Sequence, residues 1–253
     1  GGDGGGADES DDGADGAFDG VIETMLRADV DDELMIDECL TLLFAAHDTT
    51  SNTMAWCMYL LAEHADAQAL LQQEVDEVLG AAHGGVTDAT LPKLRFTRAV
   101  LNETLRLHGP VNILDREVTR DVTLCGVRLP KGTTVGFSLE AASRSADFWN
   151  APEQFKPQRW LGGAATGDGT DDDGGHANDG VQRHAYAFTP FSANSRNCIG
   201  SRFSLQEQVV LLAHVMRRFT VSRDASSPVL ATFVGTIEPK GLMVKYTPRK
   251  AAK

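Results

Sequence analysis

The sequence predicts a mainly α fold with small β-sheets, an α+β architecture, on three observations. Long stretches carry apolar residues at helical spacing with no internal proline, the longest running from Asp31 to about His64. One central region, Arg116 to Leu139, has strand character and is punctuated by the turn sequences Cys125-Gly126 and Pro130-Lys131-Gly132. The 42% apolar content of a 253-residue chain is enough for a substantial core.

The net charge of −13 belongs to two low-complexity segments. Asp3, Asp8, Glu9, Asp11, Asp12, Asp15 and Asp19 crowd residues 1–20, and Asp168, Asp171, Asp172, Asp173 and Asp179 lie in a Gly-rich insert at 162–180; neither segment holds a Lys or Arg. Both are expected to be disordered, because such compositions bury too little apolar surface to offset the entropy of ordering. Residues 21–253, outside the insert, are then the folded portion, near neutral and without a basic surface for nucleic acid. Cys39, Cys57, Cys125 and Cys198 are widely spaced and form neither a zinc pattern nor a disulfide framework. No run of about 18 apolar residues is present to span a membrane.

In chain order, the Asp31–His64 helix would be about 50 Å long at ~1.5 Å per residue. Its centre reads Ala45-Ala46-His47-Asp48-Thr49-Thr50, two small residues followed by acid and hydroxyl groups in an otherwise apolar helix. A second helix, Ala65–Leu79, ends at Gly80, and Thr87-Asp88 offers a helix N-cap beyond it. The next helix, Phe96–His108, stops at Gly109-Pro110 and sets Glu103 and Arg106 on one face. Spacing alone would make that a surface ion pair.

Strands are expected over Arg116–Leu124, Val127–Leu129 and Thr133–Leu139, forming a meander. After the insert, the polar loop Phe191–Gly200 enters a helix whose apolar face carries Phe203, Leu205, Val209, Leu212 and Met216. Val229–Ile237 and Leu242–Tyr246 read as a hairpin turning at Glu238-Pro239-Lys240-Gly241, with core roles favoured over a substrate contact for Phe233 and Val234.

The chemistry centres on Cys198. It stands at the start of a helix, where backbone N–H groups point outward, and Arg196 lies two residues away; both favour a thiolate. A thiolate held this way is a metal ligand. Asn194, in the same loop, is the residue after glycine most tolerant of a left-handed backbone.

The loop resembles the heme-ligating signature of the cytochrome P-450 family, Phe-x-x-Gly-x-Arg-x-Cys-x-Gly, with Phe191, Arg196, Cys198 and Gly200 in place and Asn194 in the glycine position. Three further motifs follow the family's order. Ala46-His47-Asp48-Thr49-Thr50 is similar to its central-helix motif, Glu103-x-x-Arg106 to its Glu-x-x-Arg helix, and Pro157-Gln158-Arg159-Trp160 to its Pro-Glu-Arg segment, with Gln158 replacing the glutamate.

The resemblance implies the C-terminal half of the cytochrome P-450 fold, eukaryotic microsomal in type: a long central helix plus a cysteine-ligand loop. It implies heme b, with iron on an axial thiolate from Cys198, and cofactor contacts from Arg196, Phe191, Gly200, Ala46 and Arg116. Asp48 and Thr49 would relay protons to dioxygen, which a dry pocket requires because it has few other donors. Glu103, Arg106 and Arg159 would form a structural triad.

The implied activity is a monooxygenase inserting one oxygen atom from O2 into an apolar small molecule such as a lipid, sterol or fatty acid. Electrons would come from NADPH through a cytochrome reductase, on the cytoplasmic face of the endoplasmic reticulum membrane, with attachment only through an N-terminal anchor that this chain lacks. The alternative is a truncated, non-catalytic relative that does not bind heme stably.

Overall fold

A computed structural model describes residues 20–80, 85–161, 184–224 and 226–250. The tail expected over 1–20, apart from Gly20, and the insert expected at 162–180 lie outside the described residues. The chain divides into two compact units, Gly1–Ala45 and Ala46–Lys253.

The first unit is helical in its described part. α1 (Val21–Arg27) is capped by Gly20, whose N–H donates to Glu23 Oε2 at 2.7 Å, and buries none of its side chains. Asp29, at φ 52°, turns the chain toward α2 (Asp32–Glu63), whose residues as far as Ala45 belong to this unit. Leu34, Ile36, Leu40, Leu43 and Phe44 on this part are exposed.

The second unit holds the core. From Thr50 onward α2 buries Met54, Trp56, Cys57, Met58, Leu60 and Leu61. All of these except Trp56 join Leu71 and Val75 of α3 (Ala65–Leu79), Val100 and Leu101 of α4 (Arg95–His108), and Leu212 and Met216 of α6 (Ser201–Arg218) in one core cluster. At ~0.8 kcal/mol per buried methylene, contact between these four helices is the main stabilising term. α5 (Leu139–Arg144) also packs on α4.

The local signals act where expected at Gly80, which ends α3 at φ 60° and donates its N–H to Asp76 O at 3.0 Å. They do not act at Thr87-Asp88. Thr87 and Thr90 bond to each other in a turn, and the start of α4 is capped instead by Glu74 of α3. Its carboxylate accepts from Phe96 N at 2.6 Å and Thr97 N at 2.8 Å. A carboxylate brought by a neighbouring helix satisfies the orphan donors and complements the helix dipole as a local cap would.

Among the described residues the strands form four antiparallel pairs. β1 (Ile113–Glu117) pairs with β4 (Thr134–Ser138), and β2 (Val122–Leu124) with β3 (Val127–Leu129) around Cys125 and Gly126, at φ 50° and 80°. The single strand expected over Arg116–Leu124 is therefore two, broken at residues 118–121. β5 (Phe219–Arg223) pairs with β8 (Val244–Pro248), and β6 (Leu230–Val234) with β7 (Thr236–Lys240).

This corrects the expected C-terminal hairpin: its turn is at Gly235, φ 82°, and the last strand returns to β5. Glycine is suited to both positive-φ positions, Gly235 and Gly241, and only pairing partners decide which one closes the hairpin. Phe233 and Val234 are exposed at 68% and 66%, so the core role expected for them does not hold, and Phe203 is likewise exposed at 65%.

Gln68 joins β5 to the helices. Its amide donates to Leu61 O at 2.9 Å and Val221 O at 3.0 Å, and its Oε1 accepts from Val221 N at 2.7 Å. Buried at 3% exposure, it pairs with Val221 as another peptide group would, so these buried polar atoms are satisfied.

Candidate functional site

The cysteine loop is built by two left-handed residues and one closing bond. Ser192 and Asn194 have φ 65° and 64°, and Cys198 N donates to Phe191 O at 2.8 Å. Asn194 thus occupies the conformation for which glycine would otherwise be chosen, and Tyr186 Oη reaches its Oδ1 at 3.4 Å. The loop rests on a hydrophobic cluster of Leu105, Trp149 and Phe188, against which Phe191 and Trp160 pack. Cys198 emerges exposed directly before α6, Arg196 is exposed in the 3-10 turn Asn194–Arg196, and Gly200 is the N-cap of α6.

Arg116 of β1 comes to this loop. Its Nη2 reaches Ser192 Oγ at 3.5 Å while Nη1 donates to Asp115 O at 2.8 Å, leaving an exposed cation beside the cysteine turn. Ser192 was not singled out from the sequence. It has no motif signal, and its role depends on a strand 76 residues away.

On α2, Ala46 and His47 are exposed and Asp48 and Thr49 half-buried. Thr49 O accepts from Thr53 Oγ1 at 2.8 Å. Asp48 Oδ2 accepts from Thr236 Oγ1 at 2.6 Å, and Asn52 Nδ2 donates to the same Thr236 oxygen at 2.8 Å. One residue along, Thr50 Oγ1 meets Ser204 Oγ of α6 at 3.0 Å, and Ser204 Oγ accepts from Gln208 Nε2 at 2.8 Å. The acid-hydroxyl run and the helix behind the cysteine are therefore in direct hydrogen-bonded contact.

Glu103, Arg106 and Arg159 are brought together in the interior at 0%, 1% and 3% exposure. Glu103 Oε1 takes Arg106 Nη2 at 2.8 Å and Arg159 Nε at 3.1 Å; Oε2 takes Arg106 Nε at 2.9 Å. Two donors invisible at the motif level complete the carboxylate: Lys156 N at 2.9 Å and Trp160 Nε1 at 2.9 Å.

Two guanidinium groups face one carboxylate, so a positive charge remains to be stabilised. Backbone carbonyls of Ser143, Pro152 and Gln154 accept from Arg106, and those of Asn150 and Ala151 from Arg159. The Trp149 ring lies 5.0 Å and 5.8 Å from the two guanidinium carbons. Spacing alone suggested a surface pair; burial and five donors to Glu103 make it an interior node.

Of the other cysteines, Cys57 is fully buried and burial pushes its thiol up to about 12, against the bond from Thr104 that lowers it. Cys125 is exposed at a hairpin turn and Cys39 is partly covered on α2. Among the described residues no group of three or more His, Cys, Asp or Glu is placed to hold a metal ion by itself.

A helical body with small antiparallel sheets thus carries an acid-hydroxyl run on one helix and an exposed thiol just before another. Residues 18–246 match the family described as Cytochrome P450. The chain belongs to the cytochrome P450 family.

It is 35% identical over 236 residues to cytochrome P450 monooxygenase sphH of Aspergillus fumigatus, covering 90% of this chain and 41% of that protein. It is 35% identical over 188 residues to cytochrome P450 4V2 of Mus musculus, covering 74% and 33%, and 33% identical over 213 residues to cytochrome P450 4A24 of Sus scrofa, covering 84% and 37%. The chain thus spans about two fifths or less of these relatives' lengths.

The family's prosthetic group is a heme whose iron is held by a thiolate, and the residues present fit it. The thiol of Cys198 is exposed, whereas that of Cys57 is buried and held protonated. A Cβ placed at Gly200 would lie 3.9 Å from Cys198 Sγ, so glycine there leaves the sulfur's flank open. Arg116, bonded to the same loop, supplies a cation suited to a carboxylate side arm.

Proposed function

We propose that this chain carries the oxygen-activating portion of a cytochrome P450 monooxygenase acting on an apolar small molecule, such as a lipid, sterol or fatty acid. The observation that carries the reading is the exposed Cys198 at the head of α6, on a loop closed by its own backbone bond and flanked by Arg116. Cys198 would hold the iron. Arg116 and Arg196 would neutralise heme carboxylates, Phe191 would carry the loop on its aromatic base, and Gly200 and Ala46 would leave space beside the group.

When bound, thiolate-ligated heme supplies the redox chemistry that activates dioxygen. The chain's own contribution is proton handling: Asp48 and Thr49 hold and pass protons at the half-buried turn of α2. An apolar substrate is supported by the exposed Phe233 and Val234, which lead into the turn at Gly235.

Electrons would arrive from NADPH through a cytochrome reductase. Residence at the endoplasmic reticulum membrane is the matching proposal for location; among the described residues no helix is long and apolar enough to cross a membrane.

The carbon-monoxide difference spectrum of the reduced chain, with heme supplied, tests the reading. A strongly red-shifted Soret band, lost in Cys198→Ala, is expected. The same band in Cys198→Ala would mean that another residue ligates iron, and no heme uptake would favour the non-catalytic alternative. In heme-loaded protein that turns over, Thr49→Ala should divert electrons from product; unchanged coupling would remove Thr49 from the relay.

A further inference from the structure

The partner of Asp48 comes from the far end of the chain. Thr236 donates its only hydroxyl proton to Asp48 Oδ2 at 2.6 Å, so the lone pairs of the same oxygen are what accept Asn52 Nδ2 at 2.8 Å. Polarity runs one way, from Asn52 through Thr236 to Asp48. Asp48 and Asn52 are four residues apart on one face of α2, and Thr236 bridges them from a different element. Asp48 Oδ1 has no hydrogen-bond partner among the described residues.

Thr236 is a fixed abutment. It is 8% exposed and follows Gly235, whose φ of 82° an L side chain rarely adopts. The next residue is clamped on both sides: Ile237 O accepts from Trp56 Nε1 at 3.1 Å, and Ile237 N donates to Pro110 O at 2.9 Å. Both bonds use the backbone of Ile237, one from the Trp56 indole and one to the Pro110 carbonyl, and neither depends on the Thr236 hydroxyl.

We propose that Thr236 is the positioning residue for Asp48, committing Oδ2 to the hairpin and leaving Oδ1 as the oxygen that exchanges protons. This rests on the relay role proposed above for Asp48. Its consequence is that the C-terminal hairpin sets the geometry of proton delivery as well as bordering the site.

Three variants test it: Thr236→Val, which keeps the branched shape and removes the hydroxyl; Thr236→Ser, which keeps the hydroxyl; and Asp48→Asn. In the chain without heme, a thermal-midpoint cycle of Thr236→Val and Asp48→Asn should be non-additive, the second substitution costing little once the first is made. Additive losses would overturn the proposal. In heme-loaded protein supplied with reductase, Thr236→Val should raise electrons consumed per product roughly tenfold and alter the pH profile, while Thr236→Ser stays near the parent. Uncoupling by Asp48→Asn with none by Thr236→Val would refute the positioning role and spare the relay. No uncoupling by Asp48→Asn would remove the relay itself, and this proposal with it.

Discussion

The hydroxyls of Thr50 and Ser204 meet at 3.0 Å, joining the helix that carries Asp48 and Thr49 to the helix that follows Cys198. Ser204 also accepts from Gln208, which is 1% exposed, so one serine oxygen supports two buried partners. Ser204→Ala should lower stability by about 1–3 kcal/mol, because Thr50 and the Gln208 amide both lose a partner. Urea unfolding of the variant and of Thr50→Val would measure it. A Ser204→Ala loss no larger than a few tenths of a kcal/mol would show that the hydroxyls are equally well satisfied elsewhere.

Glu103 is the acceptor for five donors, two from Arg106 on its own helix and three from residues 156–160, so its charge cannot be removed quietly. Glu103→Gln should cost about 3–5 kcal/mol by leaving Arg106 and Arg159 buried without their carboxylate. Thermal unfolding followed by circular dichroism is the check. Arg159→Ala should also destabilise the fold, and a fully stable, soluble Arg159→Ala would show that the node does not depend on its second guanidinium.

His108 gives the fold an acid sensitivity. Its ring stacks on Trp56 at 4.1 Å and 7°; burial, then the charges of Arg144 and Arg106, push its pKa down to about 4 from 6.5. Between those values the unfolded chain binds more protons than the folded one, so stability falls as pH drops from about 6.5 to about 4 and the loss levels off below. The contribution is on the order of 3 kcal/mol. His108→Phe should remove that part of the slope, measured by urea titrations at pH 7.5 and 4.5; an unchanged difference would assign the acid loss to other groups.

Thiol chemistry should separate the cysteines. Iodoacetamide at mildly alkaline pH should label Cys198 and Cys125 readily and leave Cys57, buried and raised to about 12, unmodified until the chain unfolds. Peptide mass spectrometry reads this directly. Early labelling of Cys57 would contradict the packing between α2 and α4.

Bound heme gives a second use of the same reagent. Once iron is held by the Cys198 sulfur, its alkylation should slow strongly while that of Cys125 is unchanged. Equal protection of both, or of neither, would disconnect heme uptake from the loop.

Much of this protein was legible in one dimension because its information is local. Helical periodicity placed α2, α3 and α4 to within a residue, Gly80 marked its helix end, and the left-handed turn at Asn194 was readable only through its place in the family's glycine position. The cysteine loop and the acid-hydroxyl run were legible because each motif is contiguous, so its chemistry needs no partner to be noticed.

Tertiary structure decided whatever depends on distant groups meeting. Glu74, not Thr87 or Asp88, caps α4 because packing carries a carboxylate to the orphan N–H groups. Gly235 and Gly241 offer equivalent backbone freedom, and only pairing with β5 and β7 settled which closes the hairpin. Thr236 has no sequence signal at all: a threonine becomes a partner for Asp48, 188 residues away, only when α2 and the hairpin occupy the same space. Local stereochemistry is carried by each residue, whereas burial and long-range hydrogen bonds belong to pairs, and pairs exist only in the folded chain.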